Sequence, residues 1–251
     1  MHRGELELGL GLLSIGRTWG VRQVPPPSEG ETDNLLQSAV TLGIRAFDTA
    51  PAYRASEQHL GRFLRTIRPE ERDGLVVMTK VGEHWDEDRG EPFVDHGRDA
   101  LIRSIDRSFE RLGRIEVIQI HKATKAIVND PEVLAGIAHA RSCGVPRVGA
   151  SVSDVATGEA ALATGIYDVL QFPLNVSATA MLPLLAVMGT VTPIINRPFG
   201  MGVLLMDEGS DPARRAFRFL AEQVSAGIIL TGTSGPDHLA ANVEAFRARA
   251  A

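Results

Sequence analysis

Eight short β-branched or aliphatic runs alternate with helical stretches along the chain, and this alternation constrains the fold more than any other feature. The runs are ELELGLGLL (5–13), IRAFDT (44–49), LVVMTK (75–80), IEVIQIH (115–121), PRVGASV (146–152), YDVLQF (167–172), VTPIIN (191–196) and GIILTG (227–232). Helical patterns fall between them at 32–42, 56–66, 97–112, 131–142, 154–163, 178–187 and 212–223, and a last one covers 236–249. Strand–helix alternation implies a parallel sheet with right-handed crossovers. Eight such units in 251 residues fit a closed α/β (β/α)8 TIM barrel, a fold that runs to about 250 residues. The chain therefore reads as one barrel domain over residues 1–251. The competing architecture is an open doubly wound sheet.

Composition narrows the function. A net charge of −5 argues against a nucleic-acid footprint or an anionic-membrane surface. No apolar run reaches the roughly 20 residues of a membrane span. The opening MHRGELELGLGLLSIG lacks a charged segment followed by a clean apolar one, so it is not read as a signal peptide. One cysteine, Cys143, excludes an internal disulfide and favours a reducing compartment. The expectation is a cytoplasmic protein, with a monomer as the working assumption. The seven histidines show no ligand-type spacing, so no metal site is expected. Of 26 basic residues only Lys80, Lys122 and Lys125 are lysines. A chain that fills its solvated positive positions with arginine places a lysine where a compact, titratable ammonium is needed.

Two βα connections are long and read as irregular, WGVRQVPPPSEGET and GEHWDEDRGEPFVDH. Each carries one tryptophan, Trp19 and Trp85, as a cap on the core or as a pocket wall. Barrel enzymes build their sites from such loops at the C-terminal ends of the strands. The polar groups at those ends are Asp48 with Tyr53 just beyond it, Lys80, His121, Ser151, Gln171, and Asn196 with Arg197. Taken singly, a strand-end lysine is often a solvated cap, a histidine structural and an aspartate a helix cap. Asp48, Tyr53, Lys80 and His121 instead converge on one mouth from neighbouring strands. A phenol is a poor acid at neutral pH unless a nearby ammonium lowers it. Lys80 could supply that charge, Asp48 could hold the lysine, and His121 could donate to the oxygen the tyrosine protonates.

FDTAPAY followed by SE, VVMTK, IQIH and the late GTSGPDHLAAN resemble the aldo-keto reductase family of NAD(P)H-dependent barrels. The resemblance runs in order from the first strand to about Asn242. It implies that Asp48, Tyr53, Lys80 and His121 form a catalytic tetrad, with Tyr53 protonating the substrate oxygen. It also implies that Gly232, Thr233, Ser234 and Asn242 hold the adenosine half of the cofactor, and Ser151 and Gln171 the nicotinamide amide. Independently, the turn before residue 236 offers free N–H groups and a positive dipole end to a phosphate. GLGLLSIG matches a dinucleotide glycine loop poorly, since Ser14 replaces its third glycine.

The pattern is not complete. Val152 stands where the family has asparagine, Asn196 followed by Arg197 where many members stack a tyrosine on the nicotinamide, and Arg54 where glycine is common. His238 replaces the arginine that meets the 2′-phosphate, so NADP is expected with NAD as the alternative. Brief connections after the fourth and seventh strands imply an open, shallow site. The expected reaction interconverts an aldehyde or ketone with its alcohol, the partner being that small substrate. The rival readings are a nucleotide-binding barrel with little turnover and a Schiff-base lyase using Lys80.

Overall fold

The computed structural model describes residues 4–21, 23–206 and 211–250. Ten strands are numbered in chain order. Eight of them close a parallel barrel in the order β1 (Leu6–Gly11), β10 (Gly227–Gly232), β9 (Thr192–Asn196), β8 (Val169–Pro173), β7 (Arg147–Ser151), β6 (Val117–Ile120), β3 (Val76–Val81) and β2 (Ala46–Asp48), which returns to β1. The other two, β4 (Glu83–Asp86) and β5 (Glu91–Val94), pair antiparallel outside it. Among the described residues no helix is long and apolar enough to cross a membrane.

Strand alternation sorts the side chains into two cores. Ala46, Val76, Met78, Val117, Val169, Ile194, Ile228 and Leu230 point inward and form one cluster that plugs the barrel. A larger apolar cluster, including Leu10, Phe47, Leu60, Leu101, Ile118, Phe172 and Phe217, fills the layer between strands and helices. Two residues further along the inward rows the chemistry changes. Asp48, Lys80, Gln119, Ser151, Gln171 and Asn196 follow Ala46, Met78, Val117, Gly149, Val169 and Ile194 at the C-terminal ends. The barrel is thus dry below and polar at its mouth.

Three sequence expectations change. The second long connection is not irregular, because its HW and PFV segments pair as the β4–β5 hairpin. Its turn is closed by Asp86 Oδ1, which accepts from the Asp88 and Arg89 amides at 3.0 Å, and by Gly90 at φ 67°. The helix expected over 178–187 shrinks to the turn Leu182–Leu185. Asn175 and Ala178 exchange backbone hydrogen bonds across a tight turn, which takes the start of the expected helix out of helical pairing, and Pro183 sits within the first turn of the helix that begins at Leu182. The first strand ends at Gly11, and Leu13–Gly16 is a single helical turn. The first long connection leads into helix Glu29–Thr41 through a capping box between Ser28 and Glu31.

Candidate active site

Tyr53 ends the one-turn 3₁₀ helix Pro51–Tyr53 that follows β2. Proline at the first position presets φ for the turn, and helix Ser56–Thr66 anchors it from the other side. Ser56 Oγ donates to the Leu12 carbonyl at 2.9 Å and lies 2.8 Å from Thr49 Oγ1. Glu57, fully buried, accepts from Thr79 Oγ1 and Ser108 Oγ, both at 2.7 Å, and from Arg111 at 2.9 Å. Gly16 lets this turn approach the helical turn Leu13–Gly16, since a Cβ there would stand 1.8 Å from the Tyr53 carbonyl oxygen. Arg54, immediately after Tyr53, adopts φ 56° and ψ −112°. That region lies outside the ordinary left-handed well and costs a non-glycine residue on the order of 1–3 kcal/mol.

The four residues expected at the mouth meet there. Lys80 is fully buried, its Nζ 2.5 Å from Asp48 Oδ2 and 3.0 Å from the Thr49 carbonyl. Asp48 Oδ1 accepts from Gln119 and Gln171 at 3.0 and 3.1 Å. The buried carboxylate thus has an ammonium on one oxygen and two amides on the other. The Lys80 ammonium lies 4.9 Å from the centre of the Tyr53 ring. The His121 ring stands edge-on to the same tyrosine at 5.8 Å.

Burial pushes the Tyr53 phenol above its ordinary value; the Lys80 ammonium pulls the other way without overcoming it, and Asp48 adds to the rise. The lowered phenol pKa expected from Lys80 is therefore not found. The reason is burial, which outweighs the ammonium, and the Asp48 charge beside it adds to the rise. Burial also opposes the charge of Lys80, but Asp48 and Tyr53 outweigh it and hold the lysine above its ordinary value. Burial pushes His121 below its ordinary value, so its ring is neutral at pH 7.

The other expected residues fall into two groups around the rim. Gln171 accepts from Asn196 Nδ2 at 3.4 Å, and Asn196 Oδ1 is buried without a hydrogen-bond partner. Ser151 is half-buried beside Gln171 in register, and Arg197 is exposed at φ 54°. In the second group Gly232 faces Gly11 across β10 and β1, and Thr233 Oγ1 accepts from the Gly235 amide at 3.2 Å. Ser234 is half-buried, and His238 is exposed in the first turn of helix Pro236–Arg247. Among the described residues no side chain caps that helix, which leaves its first amides without a partner there, and Asp237 is the acidic residue of its first turn. Asn242 is turned inward, donating to Thr231 Oγ1 at 2.9 Å.

A family model described as the Aldo/keto reductase family matches residues 7–183. The chain belongs to the aldo/keto reductase family. A solved structure from Pseudomonas aeruginosa assigned to the aldo-keto reductases superposes with a TM-score of 0.81 at 29% identity, covering 97% of this chain and 91% of that one. D-threo-aldose 1-dehydrogenase from a Pseudomonas species is 28% identical over 254 residues, 86% of this chain and 73% of that protein. L-glyceraldehyde 3-phosphate reductase from Escherichia coli K12 is 33% identical over 118 residues, 44% of this chain. That last match spans 33% of the relative's own length.

In this aldo/keto reductase, sequence reasoning overlooked two groups that touch the mouth. Gln119 sits on the same inward row as Val117, so strict strand alternation would have found it. Glu83, three residues after Lys80, is buried with Oε2 2.9 Å from His121 Nδ1, out of hydrogen-bond alignment, and Oε1 3.9 Å from Lys122. Burial works to raise Glu83, but His121, Lys122 and Arg17 hold it below its ordinary value. The β4–β5 hairpin creates this contact, and a connection read as irregular gave no sign of it. Histidine spacing carries no sign of a mixed ligand set. Asp106, His139 and Cys143 do bring ligand atoms within 4.8 Å of one another on the outer helices, where Asp106 Oδ1 lies 2.7 Å from His139 Nε2.

Proposed function

We propose that the protein is a single-domain, NADPH-dependent oxidoreductase that interconverts an aldehyde or ketone with its alcohol, Tyr53 acting as general acid and base. One observation carries the reading: a tyrosine, a buried lysine paired to aspartate and a histidine gather at the polar mouth of an otherwise apolar barrel. The names of two relatives, an aldose dehydrogenase and a glyceraldehyde phosphate reductase, suggest an aldose or short phosphorylated aldehyde as the substrate class.

The chain's residues fit a nicotinamide dinucleotide at two points. The orphaned Asn196 Oδ1 can accept from a carboxamide, with Gln171, Ser151 and Arg197 around it. The uncapped amides ahead of helix Pro236–Arg247, with Gly232, Thr233, Ser234, His238 and Asn242, suit a phosphate and its ribose. A nicotinamide held by these residues would supply the hydride. Tyr53 Oη then gives its proton to the carbonyl oxygen, and His121 contributes the second hydrogen bond to that oxygen. Lys80 keeps a positive charge beside the phenol as it ionises, and Asp48 with its two glutamines fixes the lysine. The Lys80–Asp48 ion pair weighs against Schiff-base chemistry, which needs a neutral amine.

Isothermal titration tests the cofactor assignment. One NADPH per chain is expected to bind, more tightly than NADH, and heat from neither nucleotide would end the oxidoreductase reading. NADPH binding without turnover on any carbonyl would favour the binding-module alternative. The pH dependence tests Tyr53. Its raised pKa keeps the phenol protonated through neutral pH, so carbonyl reduction should not decline until pH exceeds the ordinary phenol value of about 10. Alcohol oxidation needs the phenolate, so its rate should climb with pH across the same range. A reduction rate that falls between pH 7 and 9 would mean that another group donates the proton.

A further inference from the structure

A second polar cavity opens on the far side of the Tyr53 turn, and none of the tetrad residues lines it. Its walls are Arg54 from the turn, Trp85 and Glu87 from the hairpin, and Ser104, Arg107 and Arg111 from helix Arg98–Leu112. The spacing of 104, 107 and 111 stacks those three on one helix face. Arg107 and Arg111 are therefore like charges one turn apart, an arrangement that disfavours the helix unless something negative lies between them. Arg111 is paired with buried Glu57 and Arg54 loosely with Glu87 at 3.6 Å. Arg107 makes no ion pair or hydrogen bond among the described residues, which leaves one guanidinium in excess. Two buried donors are also unsatisfied: Ser104 Oγ, on a residue only 6% exposed, and Trp85 Nε1. Buried N–H and O–H groups are rarely left orphaned, and each orphan calls for a partner.

Arg54 supplies a further observation. It stands in a backbone conformation that glycine adopts freely and arginine does not, and its side chain lines this cavity. Strain retained at one residue is a pointer to a role for its side chain.

We propose that this cavity binds a small oxyanion, the phosphoryl or carboxylate group of a metabolite, held by Arg54, Arg107 and Arg111 with hydrogen bonds from Ser104 and Trp85. Guanidinium forks match both groups in geometry and charge. Glu87 is the one carboxylate on the wall among the described residues, and an arriving anion takes its place on Arg54. The site flanks the residue next to Tyr53, so its occupant acts on the turn that carries the proton donor without entering the mouth.

The test is equilibrium binding and does not depend on the reaction proposed above. Inorganic phosphate and acetate are titrated separately into the full chain by calorimetry, with sodium chloride holding ionic strength constant. The wild type should bind one phosphate saturably, and Arg107→Ala, which removes an exposed, unpartnered side chain, should weaken binding at least 10-fold. Arg54→Gly should do the same without lowering the melting temperature, because it relieves the strained backbone. Tighter phosphate than acetate identifies a phosphoryl ligand, and the reverse order a carboxylate; both support the site. No saturable heat with either anion, or equal binding in the wild type and Arg107→Ala, overturns it, the latter placing the anion elsewhere, as at the turn before Pro236.

Discussion

Tyr53→Phe should reduce kcat for carbonyl reduction by about 10²-fold or more, the usual scale of general acid catalysis, while NADPH affinity stays within about twofold. The substitution deletes one hydroxyl and keeps the ring in place beside the Lys80 ammonium and the edge of His121. The turn that carries it is held by Ser56, Glu57 and Gly16, none of which touches the hydroxyl, so the fold should not change. A loss confined to KM would mean that the hydroxyl binds substrate without transferring a proton. Steady-state rates beside a cofactor titration on the same preparation separate the two.

Lys80→Met should damage both stability and turnover. Removing one partner of a buried ion pair strands the other charge, typically at about 3–5 kcal/mol. Here the amides of Gln119 and Gln171 still donate to Asp48, so the lower end of that range is expected. For a chain of this size that corresponds to a fall of roughly 10 °C in melting temperature. Pairing the change with Asp48→Asn removes the stranded carboxylate and should recover part of the stability but none of the activity. A calorimetric comparison of the two single variants and the double one reads this coupling directly. Single-variant losses that simply add in the double variant would show that the pair is not coupled, and Lys80 would lose its assigned support of Tyr53.

The barrel was legible because its signal is repeated. Eight strands with apolar inward rows leave little freedom of topology, and Asp48, Lys80 and His121 announced themselves by breaking those rows at their ends. What stayed hidden depended on contacts between segments distant in the chain. The pairing of HW with PFV, and with it the place of Glu83 beside His121, requires two arms of a connection to find each other. The direction of the Tyr53 shift turned on how deeply the folded barrel mouth buries the phenol, which no spacing rule conveys. The Ser56–Glu57 pair lay within the family-like stretch, yet its hydrogen bonds to Leu12, Thr79 and Ser108 join two helices, a strand and the residue after β1. Helix 178–187 failed for the opposite reason, since local propensity there yields to the Asn175–Ala178 bridge.

The central claim is that hydride and proton reach one carbonyl at this barrel mouth with Tyr53 as the acid. NADPH deuterated at the transferring position of its nicotinamide, incubated with the protein and a panel of aldoses and short phosphorylated aldehydes, tests it most directly. The account predicts deuterium on the carbinol carbon of at least one product with the wild type, and label transfer slowed by about 10²-fold in Tyr53→Phe. Deuterium in no product, or equal transfer by the two proteins, would contradict it.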